Sequence, residues 1–133
     1  MRVCACLHDV NGSSFSPDEM QPVFESAAEL FGLLASPMRL RILRVLCEAE
    51  QSVSDIVEET GASQSNVSQH LALLYRHRVV ARRREGNQIH YRVSNEVVIE
   101  LCRAVCTQFA IEQLVAADLT PARELRGRGS SAR

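Results

Sequence analysis

The chain contains no lysine and no tryptophan, its aromatic content is 5%, and it has no long apolar run. Each absence excludes something. Without lysine, every positive side chain is an arginine, whose planar guanidinium suits bidentate contact with phosphate. With few aromatics, the core must be built from Leu, Val, Ile and Ala. No apolar stretch approaches the ~18–20 residues of a membrane span, so no membrane partner is expected. The first ten residues, "MRVCACLHDV", lack the basic start and apolar run of about 7–15 residues that mark a secretory signal. A cytoplasmic chain is therefore expected, in which thiols stay reduced and the five cysteines serve as ligands or redox sensors rather than staples. No Gly-rich phosphate loop, HExxH or nucleophile elbow occurs, and no acid/base pair stands out, so the chain is not expected to be an enzyme. No internal repeat is found.

What remains is a chain of 133 residues, 46% hydrophobic and 23% charged, the composition of a soluble domain long enough to bury a core. A net charge of −1 excludes a polycation, but the distribution is uneven. Residues 1–35 carry one Arg against five acids, and residues 36–94 carry nine against six. Within residues 75–92, Arg76, Arg78, Arg82, Arg83, Arg84 and Arg92 face Glu85 alone, a local phosphate footprint.

Helix signals recur along the chain. "SPDE" at 16–19 is a capping box with Pro17 at the first helical position. Pro22 interrupts it, so the main first helix is expected to begin near 22, with Val23, Ala27, Leu30, Phe31 and Leu34 on one stripe. Ser36 and Pro37 open a second helix whose Met38, Ile42, Leu43, Leu46 and Cys47 face one way. Ser52 and Asp55 form a second capping box, and Gly61 ends that short third helix. A fourth follows at once, with Val67, Leu71 and Leu74 inward. Two helices joined by so short a Gly-bearing turn make a helix-turn-helix. Residues 79–84 and 88–93 then change to the period of strands around "EGN". From Asn95 to about Ala117 the helical period returns on a broadly apolar segment. The expected fold is mainly α with a two-stranded β wing, a winged helix-turn-helix of four helices, two strands and a final helix. Residues 1–19 read as a flexible N-terminal arm, 20–117 as the winged helix-turn-helix domain, and 118–133 as a disordered tail.

This order reads as a binder of double-stranded DNA. The second helix of the pair presents Gln64, Ser65, Asn66, Ser68 and Gln69, polar side chains that reach base edges in the major groove. Arg82, Arg83 and Arg84 on the wing would grip the backbone or a minor groove. The rival class is a winged helix used as a protein-interaction or metal-buffering module without DNA.

The stretches "LASPMRLRILRVL", "SVSDIVEETGASQSNVSQHLALL" and "VVARRREGNQIHYRVS" together resemble the ArsR/SmtB family of winged-helix repressors over roughly residues 25–106. The resemblance implies a homodimer built on the first and last helices, an inverted-repeat operator, and repression relieved by an inducer: Zn, Ni, Cd, Pb, As(III) or, in another branch, persulfides. Arsenic-type members carry Cys-x-Cys where the third helix begins; Ser52-Val53-Ser54-Asp55 stands there instead. Zinc-type members place Asp and His ligands on the last helix, but no His follows His90.

The cysteines are the remaining sensing candidates. Cys102 and Cys106, four apart on a helix, share one face. Four such thiols converging across a two-fold would suit Zn, Cd, Pb or Hg, three would suit As(III), and the competing reading is interface packing. Cys47 lies on the apolar face of the second helix, either as core filler or, as the resemblance to the sulfur-responsive branch implies, paired with Cys106 as a redox or persulfide-responsive couple. Cys4 and Cys6 could reach one ion from an extended arm. The leading expectation is a thiophilic metal or metalloid such as As(III), Cd, Pb or Zn.

Overall fold

The structure is a computed structural model that describes Gly12 and residues 14–119; Cys4, Cys6 and most of the tail lie outside the described residues. Its elements are α1 (Pro17–Leu34), α2 (Pro37–Glu48), β1 (Gln51–Ser52), α3 (Val53–Thr60), α4 (Gln64–Arg76), β2 (Val80–Glu85), β3 (Gln88–Val93) and α5 (Glu96–Asp118). The expected winged helix-turn-helix is present. β1 adds a third strand to the wing, in the order β1-β3-β2, too short for its two residues to show a period.

Local chemistry explains most boundaries. Ser16 and Glu19 close a reciprocal capping box, and α1 starts at Pro17 rather than near Pro22. Pro22 sits six residues into the helix, where it removes one backbone donor. The cap and Pro17 set the first turn, and the helix runs on through Pro22. Arg39 donates from Nε to the Leu33 carbonyl and from Nη2 to that of Gly32, which ties α2 to the negative end of α1. Gly61 ends α3 with φ +68°, and Ser63 caps α4 one residue after Ala62. At the far end of α4, Val79 N–H reaches the Leu74 carbonyl and Arg78 N–H that of Tyr75, the paired bonds of a Schellman motif. Arg78 holds the left-handed position, φ +58°, where glycine is usual. The strain keeps one more guanidinium at the entry to the wing.

The core gathers where α2, α3, α4 and the wing meet. Ile42, Leu43, Ile56, Val67, Leu71 and Leu74 are wholly buried. From α5 only Val98 joins them fully, with Leu101 and Cys102 packed alongside. Beyond Cys102 every residue of α5 is exposed, a length of about 24 Å at 1.5 Å per residue. The stripe expected on α1 divides likewise. Leu34 is buried, while Val23 and Phe31 remain more than half exposed.

Ser52 Oγ accepts from Asp55 N–H at 3.2 Å and donates to Asp55 Oδ2 at 2.6 Å, while Ser52 N–H reaches the same carboxylate oxygen at 3.0 Å. These bonds, the Ser52 side chain first and its backbone second, hold the Asp55 carboxyl below its ordinary range. A lowered folded-state pKa contributes stability that is present above the unfolded value and lost as pH falls through the folded one. Asp55→Asn is therefore expected to unfold at lower urea than the parent at pH 7, with the gap closing as pH falls below the carboxylate range. A gap that stays constant in acid would remove the ionised cap from this account.

Candidate nucleic-acid interface and thiol cleft

α4 lies with Val67, Leu71 and Leu74 in the core, so its opposite face is set outward. Gln64, Ser65, Ser68 and Gln69 are exposed on it, and Asn66 is half-buried beside them. Ser63 Oγ takes the Asn66 N–H at 3.2 Å, which fixes the first turn. His70 is half-buried and His77 exposed at the end of the helix, so neither joins the polar face at its start. The five residues singled out from sequence thus fall together in the first two turns of the second helix of the pair.

The three wing arginines divide by strand register. Arg82 lies opposite Tyr91 and Arg84 opposite Ile89, while Arg83 lies opposite His90 on the other face. Arg82 stacks on the Tyr75 ring of α4 with its Cζ 4.2 Å from the centroid. Hydrogen bonding to Tyr91 and the proximity of Tyr75 strengthen its hold on the proton. Arg83 is answered by acids: its Nε meets Glu50 and its Nη1 meets Glu85 at 2.9 Å. His90 Nε2 stands 3.7 Å from the same Glu85 carboxylate. Among the described residues, Arg84 reaches only the Gly86 carbonyl at 3.2 Å, at the tip of the wing. Tyr75 and Glu50 were not singled out from sequence. Glu50 had no signal, since it pairs with a residue 33 positions away.

The three described cysteines meet on one cleft. Cys47 from α2 and Cys102 and Cys106 from α5 all line a space of about 410 Å³ between those helices, with Leu40, Ile99 and the exposed side chains of Arg41, Arg44 and Arg103. Cys47 and Cys106 are exposed and Cys102 is half-buried. Cys47 is therefore not the buried core residue that its helix position allowed. Though exposed overall, the Cys47 thiol is partly desolvated at the cleft wall, which pushes it up, against a smaller pull down from Arg103 and with a push from Glu48. Burial, then Cys106 and Cys47, push Cys102 up as well. All three carry soft sulfur donors, yet among the described residues no three His, Cys, Asp or Glu side chains gather closely enough to hold a metal ion. A single chain thus offers thiols facing one cleft rather than a finished metal cage.

Residues 36–82, from the cap of α2 to the middle of β2, match the family model described as "Bacterial regulatory protein, arsR family". Rv0081, an HTH-type transcriptional regulator of Mycobacterium tuberculosis, is 40% identical over 84 residues, which cover 62% of this chain and 74% of that one. This chain belongs to the ArsR family. The crystal structure of Rv0081 superposes with a TM-score of 0.61 at 37% identity, covering 73% of this chain and 97% of that one. The homodimeric winged helix-turn-helix domain of Mb0332 from Mycobacterium bovis, solved in solution, superposes with a TM-score of 0.62 at 30% identity, covering 77% and 94%. A probable mercury resistance operon repressor of Streptomyces lividans is 35% identical over 77 residues, 58% of this chain and 62% of that one. The family is one of DNA-binding transcriptional regulators, not enzymes, and the ArsR-family chain described here carries its winged helix complete. Among the described residues no helix is long and apolar enough to cross a membrane.

Proposed function

We propose that this ArsR-family protein is a cytoplasmic homodimeric repressor that binds an inverted-repeat operator and is released by thiol chemistry in the α2–α5 cleft. The observation that carries the reading is the meeting of Cys47, Cys102 and Cys106 on one cleft, in a chain whose second helix of the pair has an open polar face. Residues 20–117 would form the DNA-binding and dimerisation unit, flanked by the arm 1–19 and the tail 118–133. The exposed apolar residues of α1 and α5, among them Phe31, Val105, Phe109 and Leu114, supply the dimer face. Gln64, Ser65, Asn66, Ser68 and Gln69 read bases. On the backbone, Arg84 has no acidic partner among the described residues, Arg82 is held in place by Tyr75, and Arg83 chiefly braces the wing.

Two thiols suffice for a covalent bridge. Cys47 and Cys106 would lose two protons and two electrons to an oxidised sulfur species as sulfur–sulfur bonds form between the helices. A thiophilic metal or metalloid such as As(III), Cd, Pb or Zn is the second reading, favoured by the likeness to the mercury resistance repressor. Because the three described thiols do not gather closely enough to hold an ion, it requires donors from the partner protomer or from Cys4 and Cys6.

Retardation of fragments of the protein's own promoter tests DNA binding directly. Failure to retard any of them would favour an interaction module instead. The salt dependence tests the wing. Each phosphate contact contributes about 0.9 to the slope of log affinity against log salt. Arg84→Ala is expected to flatten that slope by about one contact, whereas Arg83→Ala should change it little, because Glu50 and Glu85 already answer its charge. Equal effects from both would show that the ion pairs give way on DNA.

A further inference from the structure

Arg82, Arg83 and Arg84 do not exhaust the basic stretch. Arg76 and Arg78 meet on a separate cleft of about 380 Å³, where α4 ends and the wing begins. Tyr75, Arg76 and Arg78 line one side and Val80, Ala81 and Ser94 the other, with no carboxylate among them. None of these residues belongs to α1 or α5, so the cleft lies off the proposed dimer face. Among the described residues neither guanidinium has an acidic partner. Arg82 stacks on the Tyr75 ring and brings a third positive charge alongside.

The backbone beneath Arg78 is clamped. Its N–H donates to the Tyr75 carbonyl at 3.0 Å, its carbonyl accepts from Ser94 Oγ at 3.1 Å, and Val79 after it is buried. Arg78 is held there at φ +58°, the one non-glycine at positive φ among the described residues. Such strain persists only where the surrounding structure enforces it. The cleft also continues the polar face of α4. Ser65, Gln69, Ala72 and Arg76 follow at helical spacing and are all exposed. From Ser65 to Arg76 the helix rises about 16 Å, more than the ~12 Å width of a major groove. A helix that reads bases with its first turns therefore brings its far end to the phosphates at the groove wall.

We propose that Arg76 and Arg78 hold one backbone phosphodiester of the operator in this cleft, beyond the bases that α4 reads. The proposal rests on the reading of α4 as the recognition helix and adds a contact to it. A phosphodiester offers one negative charge and two unbridged oxygens that accept from guanidinium N–H groups. Two guanidiniums on one cleft, with no carboxylate competing for them, match it. The strain at Arg78 then has a reason. Glycine would relax the backbone at that position but would leave the cleft without half its charge.

Fluorescence anisotropy of the full-length protein tests this across a salt series, on a fragment of its own promoter and on a scrambled fragment of equal length. The Arg76→Gln/Arg78→Gly variant is expected to flatten the slope of log affinity against log salt by about 0.9, one phosphate. At about 0.1 M salt that is roughly an eightfold loss, alike on both fragments. Arg76→Lys/Arg78→Lys should keep the parent's slope, because the charge sets it. Arg78→Gly alone should unfold at no lower urea than the parent, because glycine takes φ +58° without strain. An unchanged slope in the Gln/Gly variant overturns the proposal. So does a loss confined to the promoter fragment, which would mark a base contact. A lower urea midpoint for Arg78→Gly, or a flattened slope in the lysine variant, would show that these residues serve the fold, and overturns it as well. Calorimetric titration of the parent with AMP should give no saturable binding. Saturable binding that the Gln/Gly variant loses would assign the cleft to a free phosphate ester instead. If the parent binds no promoter fragment, the recognition-helix reading falls and this contact with it; if the parent binds and the slope is unchanged, only this contact falls.

Discussion

Leu71→Ala is expected to destabilise the protein by about 2–5 kcal/mol, whereas Gln69→Ala, two residues earlier, should change stability by less than about 0.5 kcal/mol. Leu71 is wholly buried between α4 and the rest of the core, and truncating it leaves a cavity there. A domain of this size has only about 5–15 kcal/mol to lose, so the variant should unfold at markedly lower urea and lose operator binding with its fold. Gln69 is exposed on the opposite face. If its amide makes a bidentate contact with a base, its loss costs about 1–3 kcal/mol of discrimination, roughly 5–150-fold in operator affinity, with the fold intact. The pair separates packing from reading on one helix. A Leu71→Ala protein with the parent's urea midpoint would mean that α4 is not seated as described. A Gln69→Ala protein with the parent's operator affinity would remove that side chain from the base-reading set.

The second large effect concerns the switch. The Cys47→Ser/Cys102→Ser/Cys106→Ser variant is expected to bind operator as the parent does but to lose release by polysulfide and by As(III), Cd, Pb or Zn. Allosteric coupling of about 1–3 kcal/mol corresponds to a 5–150-fold loss of operator affinity on induction, and the variant should show almost none of it. The direction with pH follows from the thiols. Partial desolvation raises Cys47 and Cys102, so the reactive thiolate is scarce at neutral pH and becomes commoner as pH rises. Release in the parent should therefore quicken from pH 7 to pH 8.5, and the variant should show no such trend. Normal release in the variant with every agent would exclude the cleft thiols and leave Cys4 and Cys6 as the remaining cysteines. Single Cys47→Ser and Cys102→Ser variants then separate the two readings of the cleft. A bridge between Cys47 and Cys106 needs the first but not the second.

The helices were legible because their signals are local. Ser16, Ser36 and Ser52 cap helices where their side chains have a partner three residues on, and Gly61 ends α3 because left-handed backbone is cheap for glycine. Val67, Leu71 and Leu74 repeat at helical spacing and are all buried. The start of α1 was misplaced because Pro22 reads as a breaker in isolation, and the capping turn before it was the better signal. Strand β1 was missed because two residues have no period, and only pairing with β3 makes them a strand.

The kind of protein was written in short-range patterns: two capped helices around a glycine turn, a polar first turn on the second, and a basic hairpin. Those patterns depend on neighbours within about four residues, so they survive without a fold. The division of labour within them did not. Arg82, Arg83 and Arg84 are alike along the chain, and strand alternation and register gave one a tyrosine ring, one two carboxylates and one the open tip. Cys47 lies 55 residues or more before its partners on α5, and nothing nearby in the chain could indicate that they share a cleft. Contacts between distant segments arise from how α5 crosses α2, and that crossing is set by the packing of Val98 and Leu101 into a core built by other helices.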